Sequence, residues 1–360
     1  MTMTSPSTAW KSFVKVFVGV FAATIAVVYA FILLIDPYDV VPFSLPLDRR
    51  IVSINQRSMY PQIVRSGRFD SLVIGTSTAR LVDPALLNAP FGARFANLAM
   101  DAMQAWEQYR VMTYFQHQAG PPKVLVVVVD FVWCQPDADR NRITPRGFPE
   151  WLYDDNPWND YLHVLNIGTA EIAVRQLGYQ LKLYRERVRF DGFEVFTPPE
   201  DRYDLARARH HLWMGQTPGA VPDNPALALT DAERAALRFP ALKWLEAVLA
   251  DLPASSRRIL ALPPVHISAQ PPPGSRAAAV ENECRERIIA LARRHAATVI
   301  DWRLGSSITR EDSNYWDRLH YRQPIAQRFA RELVAAAIEG RDSEDGSYVI
   351  RVRGNEAAAR

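Results

Sequence analysis

The sequence predicts an α/β protein: a five-stranded, mostly parallel sheet between helices, doubly wound, interrupted by an inserted cap and carried behind one N-terminal transmembrane helix. Three observations lead there. Short apolar runs alternate with amphipathic helical stretches. One long apolar run lies near the amino terminus. A Trp- and Tyr-rich segment breaks the alternation between residues 136 and 229.

The runs Leu72 to Ile74, Phe95 to Leu98, Val124 to Val129, Ile259 to Leu262 and Thr298 to Ile300 are apolar at consecutive positions, as strands covered on both faces must be. Between them, Met103 to Gln118, Arg276 to His295 and Pro324 to Ile338 read as amphipathic helices. In the last of these Ile325, Phe329 and Leu333 recur every fourth residue, and Pro324 suits a first helical turn. Strands separated by helices pair in parallel through right-handed crossovers, and sites in such sheets lie beyond the strand carboxyl ends.

Val16 to Ile35 contains no charged or strongly polar residue and is long enough to cross the ~30 Å hydrocarbon core as a helix. Asp36-Pro37-Tyr38 comes next and offers no cleavage site, so an uncleaved anchor is expected. Lys11 and Lys15 before the run, and Asp36 and Asp39 after it, predict a cytoplasmic amino terminus and a carboxyl-terminal domain outside the cytoplasmic membrane.

The expected divisions are therefore an anchor over 1–35, an extended juxtamembrane tether over 36–68, a first half-domain over 69–135, the insertion over 136–229, a second half-domain over 230–340 and a loose tail over 341–360. Within the insertion one helix is expected from Thr169 to Val188. Thr230 and Glu233 form a capping box that reopens helical structure, with a further helix from Leu242 to Leu252. The charge- and small-residue-rich tail predicts no element.

Composition sets bounds on function. With 48% hydrophobic and 22% charged residues, the 360-residue chain can bury a large core. A net charge of +3, with no Lys/Arg run interleaved with aromatics, argues against a nucleic-acid partner. Cys134 and Cys284 lack the paired spacing of a zinc site; two buried thiols are the expectation, and a bridge is the alternative in an oxidising compartment. His210 and His211 are adjacent and splay apart on a helix, so no metal and no cofactor is expected.

Two motifs carry chemistry. In Phe69-Asp-Ser-Leu-Val-Ile-Gly-Thr-Ser-Thr-Ala-Arg80 a buried strand ends in Gly-Thr-Ser, which exposes the Ser77 hydroxyl at the sheet edge among free backbone N–H groups; the same residues also make a good turn and helix cap. In Asn314-Tyr-Trp-Asp-Arg-Leu-His-Tyr321 one turn of backbone separates Asp317 from His320, so the carboxylate can fix the imidazole tautomer while the other ring nitrogen faces a hydroxyl. A serine needs such a base to become nucleophilic.

These two blocks resemble the nucleophile block and the final Asp-x-x-His block of the SGNH/GDSL hydrolase and acyltransferase superfamily. With the N-terminal membrane helix, the layout is similar to anchored members that modify cell-surface polymers, such as the alginate O-acetylation proteins and the D-alanyl transfer protein of teichoic acids. The resemblance covers roughly residues 69 to 338 and leaves the insertion unmatched. It implies a serine esterase or O-acyltransferase acting on an acyl ester of an envelope carbohydrate, alongside other envelope proteins. Ser77 would be the nucleophile and His320 the base, with Asp317 orienting it and the Ser77 N–H helping to hold the oxyanion.

The chain departs from that family in two places. The second block, Asn97-Leu-Ala-Met-Asp-Ala102, lacks the family's glycine, and the third strand ends in Asp130 instead of an asparagine. Asn97 or Arg80 is expected to substitute as oxyanion or substrate donor, although Arg80 could equally pack the first helix through a salt bridge. Asp130 would bind a hydroxyl or cap its loop, and His266, after the fourth strand, is a reserve candidate on the same edge or a structural histidine. The insertion's Trp151, Trp158 and Trp213 could stack on sugar rings or pack internally. The alternative expectation is an inactive protein of the same fold that binds glycan or a partner.

Overall fold

The computed structural model describes residues 6–215 and 224–354. The chain forms two compact units, one made of the residues up to Gln62 with Glu150–Val188, the other of Ile63–Pro149 with Arg189 onward.

The second unit is built on a mixed six-stranded sheet. Its strands are β1 (Ser71–Ile74), β2 (Phe95–Asn97), β3 (Val124–Val128), β4 (Arg257–Leu262), β5 (Thr298–Asp301) and β6 (Val349–Val352), in the order β2-β1-β3-β4-β5-β6. The first five are parallel, with Val73 beside Val126, Val126 beside Ile259 and Leu260 beside Val299. Every residue of β1, β2 and β3 is buried, which accounts for the continuous apolar runs. On one face Val73, Val126, Val128, Ile259 and Ile300 share a core with Leu87 and with Phe329 and Leu333 of the Gln323–Ile338 helix.

The sixth strand corrects the expectation of five strands and a loose tail. Val349–Val352 runs antiparallel to β5, and the turn before it is tied down by buried Ser347 and Tyr348. Val349 and Arg351 are exposed and Ile350 and Val352 half-buried, so it carries no buried run of the kind that marks the inner strands. Residues 355–360 of the expected tail lie outside the described residues.

The first unit contains the Pro6–Ile35 helix, which from Ala9 to Ile35 is long and apolar enough to span a membrane. Residues 36–62 behind it are not the extended tether expected. The buried Asp36 carboxylate accepts the N–H groups of Val40 and Val41 at 3.0 and 2.9 Å, and Arg49 donates to the Asp36 carbonyl at 2.7 Å. Gln176 then holds both backbone groups of Arg50, and Ile51 bridges Val188. The partners of this segment lie more than a hundred residues away, in the Pro157–His163 and Ile167–Gln180 helices and the strand-like stretch after them. The expected insertion is thus divided: Glu150–Val188 belongs to this unit, and the chain from Arg189 onward belongs to the sheet unit.

Candidate active site

Gly75 sets the geometry at the end of β1. A Cβ there would meet the Ala79 Cβ at 2.8 Å and the Val128 Cβ at 3.0 Å, so only glycine lets the chain turn this close to β3. Thr76 is extended and caps the short Ser77–Arg80 helix. Ser77 is the first residue of that helix, and among the described residues its N–H has no acceptor, as expected of an opening helical turn. In the order β2-β1-β3 the chain reverses direction across the sheet at β1 and β3, the place where open α/β sheets form their clefts.

The second motif reaches the same edge. Tyr315 and Tyr321 pair as an isolated antiparallel bridge and hold residues 316–320 as a loop, with the Trp316 N–H donating to the His320 carbonyl at 2.9 Å. Two buried phenols fasten it: Tyr315 donates to the Pro264 carbonyl at 3.0 Å, and Tyr321 donates to the Thr78 carbonyl beside Ser77. Sequence reasoning missed Tyr321, although a tyrosine next to a proposed base was the available signal.

The loop brings the three sequence-derived residues together. Ser77 Oγ lies 2.7 Å from His320 Nε2, and His320 Nδ1 lies 2.7 Å from Asp317 Oδ2. The other carboxylate oxygen of Asp317 accepts the N–H groups of Leu319 and His320 at 2.9 and 3.0 Å. Burial pushes the Asp317 carboxyl up, but these bonds and the His320 ring outweigh it and hold the group below the usual carboxylate range. Phe196 packs edge-on against the His320 ring. A hydroxyl, an imidazole and a carboxylate in this sequence of contacts can activate the hydroxyl as a nucleophile.

Ser77 and His320 open onto a cleft of about 280 Å³ that Asp130, Ala102, Val132 and Leu319 also line. Asp130, two residues beyond β3, accepts the Val132 N–H at 3.2 Å and takes a hydrogen bond from the Thr76 hydroxyl. Burial pushes its carboxyl up to about 6, against the opposing effects of Thr76, Val132 and Arg303. Ala102, the last residue of the Asn97–Ala102 block, has left-handed backbone, with φ of 50°.

The remaining candidates are held elsewhere. Asn97 does not serve as a donor to the cleft: its amide donates to the carbonyls of Ala79 and Val82 at 2.9 and 2.8 Å, and its oxygen accepts the Ala99 N–H at 3.1 Å. This amide fixes the backbone that leaves the short Ser77 helix. Arg80 pairs with Glu194 and stacks over Phe196 at 4.3 Å, the packing role. His266 is fully buried, bonded to Ser268 at 2.8 Å with Nε2 3.2 Å from the Asp312 carboxylate, and burial pushes its pKa down. Its backbone N–H donates to the Arg318 carbonyl at 3.1 Å, so it supports the His320 loop from behind.

Cys134 and Cys284 are bonded to each other across 150 residues, in place of the two thiols expected. Cys134 ends the turn that begins at Asp130, and Cys284 lies on the Arg276–Arg294 helix. The bond therefore fixes the cleft residues Phe131 and Val132 to the helix that carries Glu281. Trp151 and Trp213 are half-buried, Trp213 donating to Asp312, whereas Trp158 is exposed. Among the described residues no group of three or more His, Cys, Asp or Glu side chains is placed to hold a metal ion.

No protein-family model matches the chain, and no curated protein does. What the site can do rests on its own geometry.

Proposed function

We propose that this chain is a membrane-anchored serine esterase or O-acyltransferase of SGNH-like type, acting outside the cytoplasmic membrane on acyl esters of an envelope or extracellular carbohydrate. The observation that carries it is the pair of 2.7 Å contacts linking Ser77 to His320 and His320 to Asp317. His320 Nε2 takes the hydroxyl proton as Ser77 Oγ attacks the ester carbonyl. The Ser77 N–H receives the developing oxyanion. His320 returns the proton to the departing alcohol and leaves an acyl-serine. Water or a sugar hydroxyl, deprotonated by the same imidazole, then takes the acyl group.

The Cys134–Cys284 bond supports an oxidising compartment, and with the charge asymmetry around the apolar helix it favours a domain outside the cytoplasm.

One observation favours a second reading, a catalytically weak protein that binds glycan or a partner in the same cleft. Asp130 replaces a neutral donor, and a lost oxyanion donor costs ~3 kcal/mol of transition-state stabilisation. Fluorophosphonate labelling of the detergent-solubilised full chain separates the two. The enzyme labels as wild type, fails to label as Ser77→Ala and labels far more slowly as His320→Ala. Equal labelling of all three, or none of folded wild type, selects the binding protein.

A further inference from the structure

We infer that the Pro157–His163 helix and the turn after it dip into the lipid surface beside the spanning helix, giving the anchor a second, monotopic contact with the bilayer. The inference rests on reading the Pro6–Ile35 helix as membrane-spanning.

Depth is set by where protein begins to cover that helix. Residues 9–28 are exposed along their whole length, a stretch of roughly 30 Å at 1.5 Å per residue, which matches the hydrocarbon thickness. Lys11 and Lys15 lie near its start, where their long stems can carry the charge to the interface. Tyr29 is the first residue partly covered, and its hydroxyl donates to the Tyr161 carbonyl at 2.7 Å. Tyr161, in the middle of the Pro157–His163 helix, therefore sits at the level where the hydrocarbon ends.

The surface around Tyr161 is that of a membrane interface. Phe43, itself exposed, stacks on the Tyr161 ring at 6.3 Å, and Trp158 lies 6.2 Å from it. Together with Tyr29 they form a cluster of aromatics at one level, the residues enriched where chain leaves lipid. Trp158 and Leu162, four residues apart on one helical face, are 78% and 80% exposed, and Ile167 is 91% exposed. None of the exposed residues between 157 and 168 carries a formal charge. A soluble surface this apolar is unusual, and its continuity with the spanning helix identifies lipid as what covers it.

The full chain can be tested in phosphatidylcholine–phosphatidylglycerol nanodiscs with a nitroxide on one added cysteine; the native pair is bonded and does not react. The accessibility of the label to oxygen against a water-soluble nickel chelate reads depth. Val20→Cys reports the spanning helix and Glu344→Cys a water-exposed surface of the sheet unit. Leu162→Cys and Ile167→Cys should favour oxygen severalfold over Glu344→Cys. If they match Glu344→Cys while Val20→Cys reads lipid, the dip is overturned and the anchor stands. Shielding of both from either reagent means that protein covers the patch, which overturns it equally. If Val20→Cys also reads water, the anchor and the dip fall together.

Discussion

The Thr76 hydroxyl donates to Asp130, so a buried acid just beyond β3 holds the residue immediately before Ser77. The backbone before Ser77 is positioned by a group whose carboxyl burial pushes up to about 6. Lowering or raising its charge affects stability and site together.

Replacing Asp130 by asparagine tests this. The Asp130 carboxyl titrates near 3.8 in the unfolded chain and near 6 when folded, so between those values the native state holds the extra proton. Stability contributed at low pH is lost as pH rises through this window, and above it the penalty is complete, about 3 kcal/mol. Asp130→Asn should therefore gain on wild type by about that amount between pH 4 and pH 7.5 in urea titrations. A difference that does not change with pH would show that Asp130 is not held in its neutral form by burial.

In the proposed mechanism Asp317 acts through His320, so Asp317→Asn should lower kcat by about 10²- to 10⁴-fold and change KM little. An asparagine oxygen can still accept the Leu319 and His320 N–H groups, which keeps the loop folded. Hydrolysis of p-nitrophenyl acetate with circular dichroism on the same sample checks both. Unchanged kcat in folded Asp317→Asn would remove Asp317 from the relay.

Closing a loop of 150 residues, the Cys134–Cys284 bond restricts the unfolded chain strongly. The double Cys134→Ser, Cys284→Ser variant should lose about 2–5 kcal/mol in denaturant melts. Because the same bond fixes Phe131 and Val132 beside the cleft, fluorophosphonate labelling should slow even where the variant is fully folded. Undiminished labelling would limit the bond to a stability role.

At Ala102 the left-handed backbone disfavours a Cβ by about 1–2 kcal/mol. Ala102→Gly removes that strain but loosens the unfolded chain, so its stability should lie within about 1 kcal/mol of wild type, with activity kept or raised. Ala102→Val, branched at Cβ, should lose about 1–3 kcal/mol and activity with it. Thermal melts and esterase rates on the pair decide; a tolerated valine would mean that this turn can relax.

The sequence made the inner strands legible because burial on both faces leaves an unbroken apolar run, and β1 to β5 fall within a few residues of their expected limits. It made β6 illegible because this edge strand is short, alternates exposed and half-buried residues and needs no such run. That Ser77, Asp317 and His320 could meet was readable because each motif is local and both lie at the same edge of the sheet. The roles of Asn97 and Arg80 were not, since whether an amide or guanidinium faces a cleft or a backbone carbonyl depends on the turn after β1, which no local pattern encodes. The packing of residues 36–62 and the bond between the cysteines were hidden for a related reason: their partners are distant in the chain, and neither end carries a sign of the other.

The antiparallel pairing of Val349–Val352 has a practical meaning for anyone handling the protein. A chain trimmed after the last long helix would bare the N–H and C=O groups of Thr298–Asp301 along one margin of the sheet, a template onto which a second molecule can add. Shortened preparations ending near Gly340 should self-associate, and affinity tags are better fused beyond Gly354 than in place of the closing strand.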